Sequence, residues 1–108
     1  MPRQPDAGPV FSALSDPTRR TVVEALASRE TATATELASE LPVTRQAVSK
    51  HLNALGSAGL VAAERRGRET HYRLTPEALS QAFAWMEHVG SQWEGRLAAL
   101  RDRFPDPQ

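Results

Sequence analysis

The most informative stretch of this sequence lies between residues 44 and 63, where it contains no Asp or Glu. If residues 45–58 form a helix, a step of about 100° per residue places Val48, Leu52 and Leu55 on one side. The other side is short, polar and carries one charge; it presents Gln46, Ser49, Lys50, Asn53 and Ser57. Amide and hydroxyl side chains can pair with base edges and phosphates, whereas a carboxylate would be repelled by phosphate. This face therefore has the chemistry of a surface that enters a DNA groove.

A second basic cluster consists of three arginines around one glycine, in the segment Arg65-Arg66-Gly67-Arg68. We predict that Glu64–Glu69 is the turn of a β-hairpin whose strands are Leu60–Ala63 and Thr70–Leu74. Such a turn can bring guanidinium groups to DNA phosphates or into the minor groove. Taken alone it could equally be an ordinary solvated turn, but its position directly after the polar helix favours contact with DNA.

The distribution of charge supports this interpretation, although the whole chain has a formal net charge of +0. Between Thr44 and Leu74 there are six basic residues against two acidic residues, a surplus of four. Before Thr44 there are six acids against four bases, and after Leu74 five acids against three bases. A basic centre between acidic flanks is typical of a DNA-docking segment on a neutral scaffold. The alternative is a chance excess of arginine on a solvated surface.

The sequence pattern of the N-terminal part indicates an arm followed by two helices. Residues 1–9 contain three prolines and one glycine, so we expect a disordered arm there. A short helix is predicted over Val10–Ser15. Asp16 before Pro17 is a strong start for a second helix, because the carboxylate can accept from free N–H groups and proline suits the first helical position.

The next segment predicts a helix-turn-helix. Thr31–Thr33 is expected to be a short extended piece. Thr33 and Glu36 have capping-box spacing and open a third helix, which ends at Pro42. Thr44 caps the fourth helix, the one with the polar face. Because so few residues separate the third and fourth helices, they form a tight pair.

A last long helix starts at Thr75 and Pro76 and has large apolar side chains in alternating steps of four and three residues. With Gly90 in the one gap, this seam consists of Leu79, Phe83, Met86, Trp93, Leu97, Leu100 and Phe104. The spacing is that of a coiled-coil seam and requires a long partner surface. The predicted fold class is therefore mostly α with a small β-hairpin, in the order α-α-(β)-α-α-β-β-α.

In this order of elements the sequence resembles the ArsR-type winged-helix repressors. The matching stretches are Leu14–Arg20, Glu36–Ala38, Ala47–Leu52, Gly59–Val61, the arginine-rich turn at Gly67, and Tyr72–Leu74. The resemblance as a whole covers roughly Val10 to Phe104. The resemblance implies a winged helix-turn-helix in which the 64–69 turn is the wing. It also implies a homodimer, formed through the first and last helices, that binds a palindromic operator in double-stranded DNA and represses nearby genes, often its own.

The resemblance assigns DNA contacts to the positions of Gln46, Ser49 and His51. Arg45, near the helix start, is placed to bind phosphate or guanine. For His51, at the border of the apolar side, packing or a phosphate contact is favoured over base contact or metal ligation. The predicted DNA-binding set is Thr44, Arg45, Gln46, Ser49, Lys50, His51, Asn53, Arg65, Arg66 and Arg68. The predicted dimer interface is Phe11, Leu79, Phe83, Met86, Trp93, Leu97 and Leu100.

We expect neither a metal site nor a cofactor. The metal-sensing members of the family use cysteines in the third helix or an Asp/His set on the last helix. Here the third helix contains no Cys, and the last helix offers only His88, with Glu87, Glu94 and Asp102 as acids. One His without a second His or Cys is a weak basis for a transition-metal site, so we expect a surface or interface residue, with metal binding across a dimer as the alternative. The sequence identifies no metal or small-molecule effector and does not separate a repressor from an activator.

Composition sets the remaining expectations. The length of 108 residues suits one domain over residues 10–104 with a tail at 105–108. The absence of Cys, of a signal-like segment and of a run of about 18 apolar residues predicts a cytoplasmic protein without membrane contact. Two other classes are alternatives: a protein-interaction module that docks through the Trp-containing helix, and an enzyme. The enzyme is disfavoured because Ser12, Ser15 and Ser49 lack a plausible base and there is no glycine-rich phosphate loop.

Overall fold

The computed structural model describes residues 7–103, without the side chains of residues 96, 97, 99–101 and 103. Its elements follow in the order α1 (Gly8–Ala13), α2 (Pro17–Ala27), α3 (Ala34–Glu40), α4 (Arg45–Ser57), β1 (Val61–Arg66), β2 (Glu69–Leu74) and α5 (Pro76–Arg103). The predicted order and the mostly helical fold with one hairpin are confirmed. Ala32 forms an isolated antiparallel bridge with Tyr72, which is the predicted extended piece before α3.

Side-chain caps fix the starts of α2, α3 and α4. Asp16 accepts hydrogen bonds from the N–H groups of Thr18 at 2.7 Å and Arg19 at 3.1 Å. Thr33 and Glu36 cap each other reciprocally, with bonds of 2.8 and 3.1 Å. Thr44 Oγ1 accepts from the Ala47 N–H at 3.1 Å. Each cap satisfies N–H groups that have no partner within the helix, so the helix starts are set by local chemistry.

The core is built around the apolar side of α4. Val48, Leu52 and Leu55 are essentially inaccessible to solvent, as the sequence predicts. Helix α4 contacts α1, α2, α3 and β1, so these side chains pack against apolar residues from most of the fold. The fully buried partners include Val22, Leu26, Leu37 and Leu60. Burying one such side chain contributes about 1.5–3 kcal/mol. This packing fixes which side of α4 faces solvent.

The N-terminal arm is shorter than predicted. Helix α1 begins at Gly8, and Ala7 before it is buried, so the prediction of a disordered arm is wrong for residues 7–9. The physical reason is tertiary: Ala7 and Val10 belong to the apolar core, whereas the local composition of prolines and glycine indicates only a loop. Pro9 is accommodated because it lies in the first turn, where its missing N–H has no partner to lose. Residues 1–6 and the predicted tail at 105–108 lie outside the described residues.

The hairpin is longer, and its turn tighter, than the sequence predicts. Strands β1 and β2 pair from Val61↔Leu74 to Arg66↔Glu69, which leaves Gly67 and Arg68 as the loop. Gly67 has a φ of +64°, as a glycine at the first position of a two-residue hairpin loop requires. The prediction that the whole of 64–69 is turn is therefore wrong. Charged residues at exposed strand ends do not stop pairing, because the ladder is made by the backbone.

Among the described side chains of α5, the buried ones lie at its start. Ala78 and Ala82 are buried, and α5 contacts α1. Further along, Phe83 is 63% exposed, Trp85 54%, Met86 48% and Trp93 49%. The ring of Phe11 meets that of Trp85 edge-on, with centroids 5.5 Å apart. No helix in the described part of the chain combines the length and apolar character that a membrane span needs.

The carboxylate caps Asp16 and Glu36 make the stability of the fold depend on pH. The N–H of Arg19, above all, holds the pKa of Asp16 below its ordinary value, and the N–H of Thr33 does the same for Glu36. Because both pKa values are depressed in the folded state, the stability they give is complete above the unfolded-state pKa values. This stability is lost as the pH falls through the folded-state pKa values. We expect the thermal unfolding midpoint to fall between about pH 5 and about pH 3.

Asp16→Asn provides the matched variant, since asparagine is an equally good cap that does not titrate in this range. Its midpoint, followed by circular dichroism, should fall less steeply with acid than that of the wild type. Parallel curves for the two proteins would contradict the role assigned to Asp16.

Candidate nucleic-acid interface

The polar side of α4 is open to solvent. Gln46, Lys50 and Asn53 are exposed, and Ser49 is half-buried at the edge of this side. Thr44 and Arg45 are exposed at the helix start, where Thr44 also serves as the cap. The arrangement brings hydrogen-bonding groups together on the surface opposite the buried stripe. It can therefore offer donors and acceptors to a ligand without uncovering the core.

A cleft lies beside this face, between the starts of α3 and α4 and the hairpin. We call it the arginine cleft. It has a volume of about 200 Å³ and is lined by Thr33, Ala34, Thr35, Arg45, Ser49, Arg65, Arg68, Glu69, Thr70 and Tyr72. Three arginines and one glutamate therefore line one space. Sequence analysis predicted the arginines as separate contacts of a helix and a turn, whereas the fold places them around one cleft.

Two of these arginines are oriented by neighbouring oxygens. Arg45 Nε donates to Thr35 Oγ1 at 3.1 Å, and Arg65 Nε donates to the Gly67 carbonyl at 3.0 Å. Each bond uses Nε and leaves the two Nη groups for a ligand. Arg68 has no hydrogen bond or ion pair with the residues the structure describes. Sequence reasoning missed Thr35, because a contact across ten residues and a turn leaves no local pattern.

Arg66 does not line the arginine cleft. Directly paired residues of an antiparallel ladder lie on the same face, and successive residues alternate between faces. Arg65 pairs with Thr70 on the cleft side, so Arg66 lies on the other face of the hairpin. There its Nη2 is 3.3 Å from a carboxylate oxygen of Glu64. The predicted tip of three equivalent arginines is therefore corrected, because Arg65 and Arg66 belong to a strand and only Arg68 to the loop.

His51 is directed partly inward. It is half-buried, and its Nδ1 is enclosed without a hydrogen-bond partner among the described residues. After the hydrogen bond from Arg19, smaller effects on the pKa of Asp16 include the charge of His51, which lowers it. His51 thus lies near the start of α2. Of its two ring nitrogens, Nε2 is the one left for an external contact.

The described residues contain no group of three His, Asp or Glu side chains arranged to hold a metal ion. His88 lies on exposed α5, where its Nε2 is 3.5 Å from the amide nitrogen of Gln92. Its carbonyl accepts a hydrogen bond from Ser91 Oγ at 2.8 Å. These contacts are local to the helix.

A second exposed surface lies along α1 and α5. Its members are exposed apolar side chains that we together call the aromatic surface. They are Phe11 and Trp85, whose rings are in contact, and Phe83 and Met86 elsewhere around α5. Leu79 is half-buried against the core of its own chain, while Leu97 and Leu100 fall outside the described side chains. Trp85 was missed because it does not fit the steps of four and three residues that define the seam. Its aromatic type was the signal that could have identified it.

Comparison with known proteins agrees with this arrangement. A family described as a helix-turn-helix domain matches residues 14–63. The transcriptional repressor SdpR of Bacillus subtilis is 34% identical over 77 residues, which cover 71% of this chain and 84% of that protein. An ArsR-like transcriptional regulator from Rhodococcus sp. RHA1 is 40% identical, with a TM-score of 0.75 over 94% of each chain.

A third similar protein is Mb0332 of Mycobacterium bovis, described as a homodimeric winged helix-turn-helix DNA-binding domain and a possible ArsR-family regulator. It is 27% identical, with a TM-score of 0.63, over 85% of this chain and 92% of that one. The first two are described as transcriptional regulators, and the third as a DNA-binding domain. The identity to SdpR, the match of the helix-turn-helix and the similar folds lead to one conclusion: the chain belongs to the ArsR family of winged helix-turn-helix transcriptional regulators.

Proposed function

We propose that this regulator is a homodimeric repressor that binds a palindromic operator. In this proposal α4 enters the major groove, and the hairpin lies on the flanking backbone or in the minor groove. The observation that carries it is the acid-free outer side of α4, which the fully buried Val48, Leu52 and Leu55 keep exposed. In helix-turn-helix proteins the start of the second helix is the part that reaches base edges.

The side chains divide into two roles. Gln46 and Ser49 are the proposed base contacts, because glutamine can pair with adenine through two hydrogen bonds and serine can reach a base edge. Lys50, Asn53 and His51 Nε2 are proposed to bind base edges or phosphates around them. Arg45 and the arginines of the hairpin are proposed backbone contacts, which hold the helix in register without carrying sequence information.

The aromatic surface supports the proposed homodimer. An exposed apolar surface of this kind marks an interaction site, and a twofold interface uses the same surface on both copies. The homodimeric state described for Mb0332 and the repressor activity named for SdpR support this assignment. Two copies related by a twofold axis present two α4 helices, which suits half-sites about one helical turn apart, 34–36 Å.

Gln46→Ala and Ser49→Ala should each reduce discrimination between the operator and unrelated DNA by about 1–3 kcal/mol. The reason is that each substitution removes a donor or acceptor from the proposed base-reading face. The measurement is fluorescence anisotropy with DNA from upstream of the protein's own gene and with a scrambled duplex, at one salt concentration.

Gln81→Ala and Ser80→Ala are matched controls, since both residues are exposed on α5 away from α4. They should leave the preference unchanged. If the α4 variants also kept their full preference for the operator, the assignment of these residues to base contact would be wrong.

The dimer is tested by size-exclusion chromatography with light scattering. We expect a mass of about 24 kDa, twice the 11.8 kDa of one chain. Phe83→Glu should shift the protein to a folded monomer, because it places a carboxylate in the aromatic surface without disturbing the core. Ala84→Glu, on another side of the same helix, serves as the control and should remain dimeric.

A wild-type monomer would contradict the homodimer. It would instead favour the alternative in which the aromatic surface docks a different protein and DNA binding is incidental.

A further inference from the structure

We propose that the arginine cleft is a subsite for one DNA backbone phosphate, bound jointly by α4 and the hairpin. The proposal rests on the function proposed above and adds a specific anion site to it. Nothing in the assignment of α4 and the hairpin as DNA-binding elements requires them to share a phosphate. The inference comes from the single cleft that both elements border.

The charge of the cleft suits a phosphate. Arg45, Arg65 and Arg68 outnumber the one acidic lining residue, Glu69. The Glu69 carboxylate is 3.5 Å from His71 Nε2, on the face of the hairpin that carries Arg66. Fixed guanidinium groups without a protein carboxylate partner favour an anion, and a phosphate diester accepts several charge-assisted hydrogen bonds at once.

The size and position of the cleft also suit a phosphate of bound DNA. Its volume of about 200 Å³ equals several water molecules, at about 30 Å³ each, so a phosphate group can enter. Ser49 borders both the cleft and the proposed base-reading side of α4. A duplex whose bases contact Gln46 and Ser49 would therefore bring its backbone to this cleft.

Thr35 acts as a positioning residue in this site. Its hydroxyl accepts the hydrogen bond from Arg45 Nε and restricts the guanidinium to the cleft. The Gly67 carbonyl does the same for Arg65. Arg45 and Arg65 are thus oriented before DNA arrives, which reduces the side-chain entropy lost on binding.

Joint binding of one phosphate predicts a particular salt dependence. The slope of log affinity against log salt falls by about 0.9 for each phosphate that loses its contact. Arg45→Ala, Arg65→Ala and Arg68→Ala should each weaken binding about tenfold but change the slope little, since the remaining arginines still neutralise the phosphate. Every substitution occurs in both subunits of the dimer, so the triple variant should lose about 1.8 in slope. Three separate phosphates for each subunit would instead cost about 5.4.

Thr35→Val tests the positioning role. It should weaken operator binding severalfold in the wild type and add nothing in the Arg45→Ala background, while the unfolding midpoint stays unchanged. Arg73→Ala is the control for net charge, because it removes one exposed arginine outside the cleft. It should leave the affinity within about twofold of the wild type.

Two results would overturn the proposal: slopes that drop by about 1.8 in every single variant and by about 5.4 in the triple variant, or a triple variant with an unchanged slope. Either result can be obtained only if the wild-type protein binds the operator. Failure of the wild type to bind DNA would instead refute the proposed function, so the two failures are distinguishable.

Discussion

The constraint on which the rest of this structure depends is the burial of one side of α4. Val48, Leu52 and Leu55 are enclosed by α2, α3 and β1, and their removal from water sets the rotation of the helix about its axis. A turn of the helix by a third of a revolution would expose apolar surface worth several kcal/mol, at about 25 cal/mol per Å². The polar residues on the opposite side therefore face solvent because the apolar side is packed into the core. They take no part in that packing.

The same packing determines the surroundings of α4. Helix α3 ends shortly before α4 begins, and their caps bring Thr35 close to Arg45. The hairpin follows α4 directly through Gly59, whose φ of +79° lets the chain reverse direction after the helix ends. The hairpin then lies beside the start of α4. Positive side chains from distant parts of the sequence thus border one cleft. In contrast, α5 leaves the core after Ala82 and keeps large apolar side chains exposed. One surface of the molecule is suited to an anionic ligand and another to an apolar one.

Sequence reasoning predicted the features that local chemistry fixes. The starts of α2, α3 and α4 follow from Asp16, Thr33 with Glu36, and Thr44, because a cap satisfies its own helix. The division of α4 into two sides follows from helical periodicity. Three features that depend on tertiary packing or pairing were not predicted. The early start of α1 depends on the burial of Ala7 and Val10, the hairpin boundaries depend on backbone pairing that is insensitive to residue type, and the arginine cleft depends on how the elements pack.

The central claim is that the outer side of α4 is the surface that meets DNA. It is tested most directly by nuclear magnetic resonance of the isotope-labelled protein, titrated with the DNA upstream of its own gene. The backbone amide signals of residues 45–53 and of the hairpin loop should shift and broaden together, while those of Val22 and Leu26 in the core of α2 stay in place. Signals of α4 that remain unchanged while those of α5 move would contradict it.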